Sequence, residues 1–194
     1  IHYIVGAPHR ISEEAIQEAQ QKWLPEFENL PKPLTAVIVG GAIKKKEFSL
    51  SNATDLGNKI RMLKEKTGGS VLITTSRRTG EKAEKVIMNA LQGIPSYTFL
   101  WGEKKENPYM GYLACADNIV VTGDSVSMCC EACGTNKPVF VFTGKKWLTR
   151  KHIRFVASLY KNGYAVALKE RNLEFKPKKA LNAAVDAAQH IDLL

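Results

Sequence analysis

Two stretches carry residue types and spacings that could do chemistry. In Thr74-Thr75-Ser76-Arg77-Arg78-Thr79, four hydroxyls and two guanidiniums fall within six residues, between an apolar run and a helical pattern. Guanidinium forks match phosphate oxygens, and hydroxyls and helix-start N–H groups add donors, so the stretch suits an anion. A merely solvated loop rarely needs both. The second stretch is 118–142. Ile119–Val121 reads as a strand buried on both faces, Thr122-Gly123-Asp124 as a turn, and Asp124 or Ser125 as the cap of a helix running to about Cys133. Gly134 reads as its stop and Pro138–Phe142 as the next strand. A strand, a Gly-containing turn and a helix start together present N–H groups and a positive dipole end, again a phosphate setting. Glu131, the one acid in that apolar helix, could accept hydrogen bonds from two ribose hydroxyls. A Glu on a solvated helix face is the plain alternative.

Other candidates are weaker. Gly40-Gly41 would let backbone approach a ligand, or simply form a tight turn. The pair matches neither G-x-G-x-x-G nor a P-loop. Trp101 could stack on a base or pack in the core. Asn107, before Pro108, reads as a helix cap. Cys129, Cys130 and Cys133 share one predicted helix, with Cys115 upstream. The Cys130–Cys133 spacing lacks a second pair or a nearby His, so packing is favoured over metal or redox chemistry, and no disulfides are expected. His9, His152 and His190 have no partner pattern, and no Ser/His/Asp or metal-ligand set can be assembled.

The elements that must position these residues alternate. A strand at 2–5 is followed by a helix from Ser12 to about Trp23, and Pro25, Pro31 and Pro33 make 25–33 the best linker. Strands then follow at 34–39, 71–75, 97–100, 119–122, 138–142 and 164–168. Helices are expected at 52–66, 80–92, 107–115, 149–161 and 177–191, besides the one at 124–133. Strict alternation with short joints predicts an α/β, Rossmann-like parallel sheet of about six strands, helices on both faces, and the 119–122 strand central. Ligands of such sheets sit outside the carboxyl ends of the strands. In the closing helix Leu181, Val185, Ala188 and Ile191 form an apolar stripe, expected to be partly exposed or covered by a neighbour.

The chain has 194 residues, an ordinary globular composition and a formal charge of +9. That charge favours nucleotides, nucleic acid or an acidic membrane surface. No long basic helix or aromatic-interleaved motif is present, so nucleic acid is not expected. Without a membrane-length apolar run, a cytoplasmic setting, or one peripheral to a membrane, is expected.

At Thr74–Thr79, Asn107-Pro108-Tyr109 and Val121-Thr122-Gly123-Asp124-Ser125-Val126-Ser127-Met128, with Glu131-Ala132 beyond, the chain resembles the Elm-type mitochondrial fission family of bacteria and plants. Gly6-Ala7-Pro8-His9-Arg10 and Val39-Gly40-Gly41 match it too. The resemblance covers nearly the whole chain and corresponds to the C-terminal part of longer proteins. It implies a leading segment and linker at 1–33 that belongs with a missing N-terminal half, and a nucleotide-sugar-binding domain at 34–194. The family is in turn similar to GT-B glycosyltransferases and nucleotide-sugar 2-epimerases, whose C-terminal half holds the nucleotide-sugar. Ala116-Asp117, Gly123-Asp124-Ser125, Glu131, Gly134 and Pro138 fall in the order of their signature. Asp124 departs from it, because a carboxylate beside a diphosphate repels it unless Arg77 or Arg78 pairs with it.

Loops and resemblance together give the candidate nucleotide- and phosphate-binding set: Gly40, Gly41, Thr75, Ser76, Arg77, Arg78, Trp101, Gly123, Asp124, Ser125, Ser127, Met128 and Glu131. A nucleotide-sugar is the expected ligand, with no cofactor, no metal and no catalytic residue assigned. The resemblance puts the acceptor site and any general base on the missing half. A glycosyltransferase half-domain, an epimerase-like enzyme and a non-catalytic interaction module with a possible peripheral membrane contact are the three readings.

Overall fold

Runs rich in Val, Ile, Phe and Thr suit a pleated surface covered on both sides, and they form the strands here. In the computed structural model, which describes residues 4–191, they are β1 (Leu34–Val39), β2 (Ser70–Thr75), β3 (Ser96–Phe99), β4 (Asn118–Thr122), β5 (Val139–Phe142) and β6 (Val166–Ala167). All pair in parallel, in the order β3-β2-β1-β4-β5-β6. The expected six-stranded sheet is present, and β4 is one of its two central strands. β1, β2 and β5 are buried at every residue, whereas the edge strands β3 and β6 are partly exposed.

The helices are α1 (Glu13–Phe27), α2 (Leu50–Thr67), α3 (Glu81–Ala90), α4 (Tyr109–Cys115), α5 (Val126–Gly134), α6 (Arg150–Lys161) and α7 (Ala183–Ile191). They cover both faces. On one, Phe27 of α1, Tyr112 of α4, Cys129 and Cys133 of α5 and Leu159 of α6 share a core with Ile38 and Val121. On the other, Leu56 and Ile60 of α2 and Ile87 of α3 pack on Val37 and Ile73, closed by Phe48 and Trp147. The cysteines are free, and Cys129, Cys130 and Cys133 are buried. They fill space as small apolar residues do.

Several boundaries differ from the sequence reading. Residues 2 and 3 lie outside the described residues, and Ile4 and Val5 are not in a strand. Val5 instead packs on the core. Helix α1 begins at its Ser12 cap but runs through Pro25 to Phe27. The burial of Trp23 and Phe27 outweighs the one hydrogen bond that a proline removes. Asn107 does not cap α4 from the N-cap position, which Pro108 occupies. Its side chain accepts from Tyr109 N at 3.0 Å instead. Gly134 is the last residue of α5, not the residue beyond it. Asn136 supplies the positive φ, and Gly134 is bare because the His9 ring lies where a Cβ would go.

Helix α7 starts at Ala183, not 177. Pro177, Lys178 and Lys179 precede it in irregular chain, while Leu181 is fully buried and donates its N–H to Cys133 O at 3.0 Å. The apolar stripe is therefore divided: Leu181 is inside, Val185 and Ala188 are exposed, and the Ile191 side chain lies outside the described residues.

The α1–α4 contact is tight. A Cβ at Gly111 would fall 2.3 Å from Trp23 Cγ. Gly111→Ala must push the indole aside, so we expect a loss of about 1–3 kcal/mol in chemical denaturation. Unchanged stability would show that α1 is only loosely seated.

Candidate functional site

The sheet order brings the exits of β1, β2 and β4 side by side. Gly40-Gly41 leaves β1, Ser76–Gly80 leaves β2, and Gly123–Ser125 leads from β4 into α5. Gly40 N donates to Thr122 Oγ1 at 2.7 Å, and Gly41 N to Asp124 Oδ2 at 2.8 Å. Ser76 Oγ donates to Gly40 O at 2.8 Å, and the Thr79 hydroxyl donates to the same carbonyl. Arg78 Nη2 pairs with Asp124 Oδ2 at 3.0 Å, while its Nη1 donates to Ala42 O at 2.7 Å. Trp147, buried, donates Nε1–H to Gly41 O at 3.0 Å. Cβ atoms on Gly40 and Gly41 would lie 2.2 Å from Asp124 Oδ2 and 2.0 Å from the Arg78 backbone carbonyl. The glycine pair is thus required by this interlock, whatever binds above it.

Asp124 sits at the start of α5 with its side chain fully buried, and its Oδ1 has no hydrogen-bond partner. Burial raises its pKa above the usual carboxylate value, against the opposing pulls of the Gly41 N–H, Thr122 and Arg78. Arg78, not Arg77, is thus the guanidinium beside the α5 N-terminus, and it pairs with Asp124. Ser125 is the N-cap, accepting from Met128 N at 3.4 Å. Ser127 is exposed on the first turn, and Met128 packs partly on the core. Gly123 is buried, with Val141, Val156 and Leu148 3.2–3.3 Å from where its Cβ would be.

Arg77 is exposed and belongs to none of the ion pairs among the described residues. The Thr75 hydroxyl is already committed: it donates to Glu84 Oε1 at 2.5 Å and accepts from Trp101 N at 2.9 Å. Trp101 is 59% exposed, so it is not a core residue. It borders a cleft of about 390 Å³ with Glu84, Lys85 and Met88, on the α3 side. Glu131 lies on the α4 side, half-buried, and Tyr109 OH donates to its Oε2. Burial first, then Glu131, pushes the Tyr109 phenol far above its usual pKa. The structure therefore joins Gly40, Gly41, Ser76, Arg78, Asp124 and Ser125, and leaves Trp101 and Glu131 on opposite sides of that cluster.

Sequence reasoning missed the buried hydroxyls of Thr79 and Thr122, the Trp147 donor and the Tyr109–Glu131 bond. Thr79 and Thr122 stood inside the highlighted stretches and could have been suspected. Nothing in the chain order points to Trp147. Charge is uneven as well. The joints after β1 through β5 carry nine Lys or Arg against four Asp or Glu, whereas at the amino ends Glu28 and Asp117 balance Lys32 and Lys137. No helix among the described residues is long and apolar enough to cross a membrane.

A parallel six-stranded sheet covered on both faces, with its polar network at the carboxyl ends, defines a Rossmann-like α/β domain of the kind that forms one half of GT-B-like proteins. The UDP-GlcNAc 2-epimerase from Neisseria meningitidis, solved bound to UDP-GlcNAc, has this fold: the TM-score is 0.53 at 14% identity, over 93% of this chain and 49% of that one. The family model described as mitochondrial fission ELM1 matches residues 1–193, and the chain belongs to that family. It is 38% identical over 160 residues to the mitochondrial fission protein ELM1 of Arabidopsis thaliana, covering 81% of this chain and 36% of that protein. It is 31% identical over 166 residues to the uncharacterized protein RP120 of Rickettsia prowazekii (strain Madrid E), covering 82% and 46%. The chain thus spans less than half the length of both relatives.

The interlock sets a pH expectation. A carboxyl whose pKa is raised by folding holds its proton more tightly in the native state. Its contribution to stability is therefore full below the ordinary Asp pKa and is lost as pH rises through the folded value. Asp124→Asn does not titrate, so its stability should lack this fall across the acid range. Asp124→Ala, which leaves the Gly41 N–H unpaired, should cost about 1–3 kcal/mol. Parallel stability–pH curves for wild type and Asp124→Asn would refute the assignment.

Proposed function

We propose that this domain binds a nucleotide-sugar at the carboxyl ends of β1, β2 and β4, as the nucleotide-holding half of a glycosyltransferase-related protein. The observation that carries this reading is the convergence at one point of the Ser125-capped N-terminus of α5, Arg78 and the Gly40-Gly41 exit. Anions gain there from both dipole and charge. The groups facing outward take the diphosphate: the exposed Arg77 and Ser127, the half-exposed guanidinium of Arg78 and the half-buried Ser125. Asp124 keeps Arg78 in place. Glu131, oriented by Tyr109 through Oε2, keeps Oε1 for a ribose hydroxyl. The loop that leads into Tyr109 borders the base, and Trp101, on the other side of the cluster, lies outside this site. Clustered positive charge would stabilise a departing diphosphate in transfer chemistry, and equally in an epimerase-like reaction. The shared fold of an epimerase solved with UDP-GlcNAc supports the substrate class.

A second reading has its own observation. Arg78 and Glu131 are already satisfied by Asp124 and Tyr109 within the fold. An interaction module of the fission type would keep such a network without any nucleotide.

Calorimetry on the full-length protein separates the two. UDP-GlcNAc, GDP-mannose, an ADP-sugar and a CMP-sugar are titrated in turn. On the nucleotide reading one binds, and Glu131→Ala weakens it by about 1.5–3 kcal/mol, the worth of hydrogen bonds to a charged group. Arg77→Ala should weaken the same ligand and flatten its salt dependence. Absence of heat at millimolar concentration of all four would leave the interaction module standing.

A further inference from the structure

Residues 132–169 contain eight Lys or Arg and no Asp or Glu, nearly all of the chain's formal +9. The density is highest at the β5–α6 joint and along α6: Lys145, Lys146, Arg150, Lys151 and Arg154 are all exposed. None of them enters an ion pair among the described residues. Helix α6 also has no acid in its first turn, where Arg150 and Lys151 face the positive end of the helix dipole. Arg150 and Arg154 repel each other at i, i+4. This arrangement works against the folded helix and is relieved by an opposing sheet of negative charge.

The same face is apolar at its centre. Ile153 is 56% exposed among these cations, on the outer side of a helix whose Val156 and Leu159 are buried. It opens onto a cleft of about 360 Å³ walled by Trp147, Leu148, Val156 and Tyr160, with Lys146 on its rim. Cations ringing an exposed aliphatic side chain and an apolar cleft are the two signals of a surface that settles into a lipid interface. A nucleic acid would use the cations, but it gains nothing from Ile153, and the aromatic side chains of α6, Phe155 and Tyr160, pack against the core instead of standing out for base stacking.

We propose that the β5–α6 joint and the outer face of α6 dock this protein onto a membrane surface bearing anionic lipid headgroups, with Ile153 entering the interface. Because α6 follows β5, docking turns the carboxyl ends of the strands, with Lys44–Lys46, toward the same surface. The proposal stands apart from nucleotide binding: none of its residues is assigned to the nucleotide, so either can fail alone.

Co-sedimentation of the full-length protein with phosphatidylcholine vesicles, with and without phosphatidylglycerol, tests it. Binding is expected only to the anionic vesicles and should fall steeply with added salt. Lys151→Ala/Arg154→Ala should weaken partitioning about 30-fold, at roughly one fivefold factor per cation. Ile153→Ser should weaken it while keeping the salt dependence. Both variants alter exposed side chains, and matching thermal melts will confirm their folds. Failure to bind anionic vesicles, equal binding to neutral ones, or unchanged partitioning of the double variant would overturn the proposal. So would tight binding of duplex RNA without vesicle binding. Competition by inorganic phosphate at low concentration would assign the cations to a free anion and overturn it as well.

Discussion

The carboxylate of Asp124 is the constraint on which this end of the molecule depends. It is buried at a helix start, where water cannot solvate it, so the protein must supply its partners. The Gly41 N–H and Arg78 do so through one oxygen. Because these groups come from the exits of β1 and β2, satisfying one charge ties three strand ends together. Gly40 and Gly41 follow as a consequence, since any side chain there would occupy the space of the carboxylate or of the Arg78 backbone. Ser76 and Thr79, both donating to Gly40 O, complete the closure of the joint.

A parallel sheet covered on both faces has only its two ends for function. At the amino end the polar groups serve the fold. Asp117 accepts the Leu34 N–H at 2.7 Å, and Lys64 donates to Pro33 O and Thr35 Oγ1 at 3.1 and 2.9 Å. Lys137 caps the carbonyls of Leu113 and Ala114 at 2.9 and 2.6 Å. Burial lowers both lysines to a pKa of about 8, the mark of amines committed to backbone carbonyls in a poorly solvated place. At the carboxyl end the cations are mostly exposed, and among the described residues Arg78 is the one paired with a buried acid. The electrostatic asymmetry therefore lies along the strand direction, with the excess positive charge at the carboxyl end.

The Asp124 network and the Tyr109–Glu131 bond are compatible with both proposed readings. Arg78 and Glu131, already bonded inside the protein, are held in place without a ligand and would need no reorganisation to meet one. The same geometry serves a nucleotide pocket or a rigid platform. What separates the two is whether the outward-facing groups, Arg77, Ser127 and the second oxygen of Glu131, find a partner.

The order of elements was legible from the chain alone. Apolar β-branched runs of four to six residues, separated by amphipathic segments and glycine joints, can bury both faces only as a parallel sheet. The anion-suited loops were legible too, because hydroxyls, arginines and a helix cap cluster locally around Ser76 and Ser125. Pairings across the sheet were not. That Arg78 and not Arg77 meets Asp124, that Tyr109 holds Glu131, that the Trp147 indole reaches Gly41 and that His9 fills the space beside Gly134 all depend on which strands become neighbours and how their exits are spaced. These contacts join residues from 22 to 125 positions apart, and local pattern says nothing at that range. Pro25 shows the same limit from the other side: its local signal ends a helix, and the burial of Phe27 two residues later, decided by tertiary packing, carries the helix through.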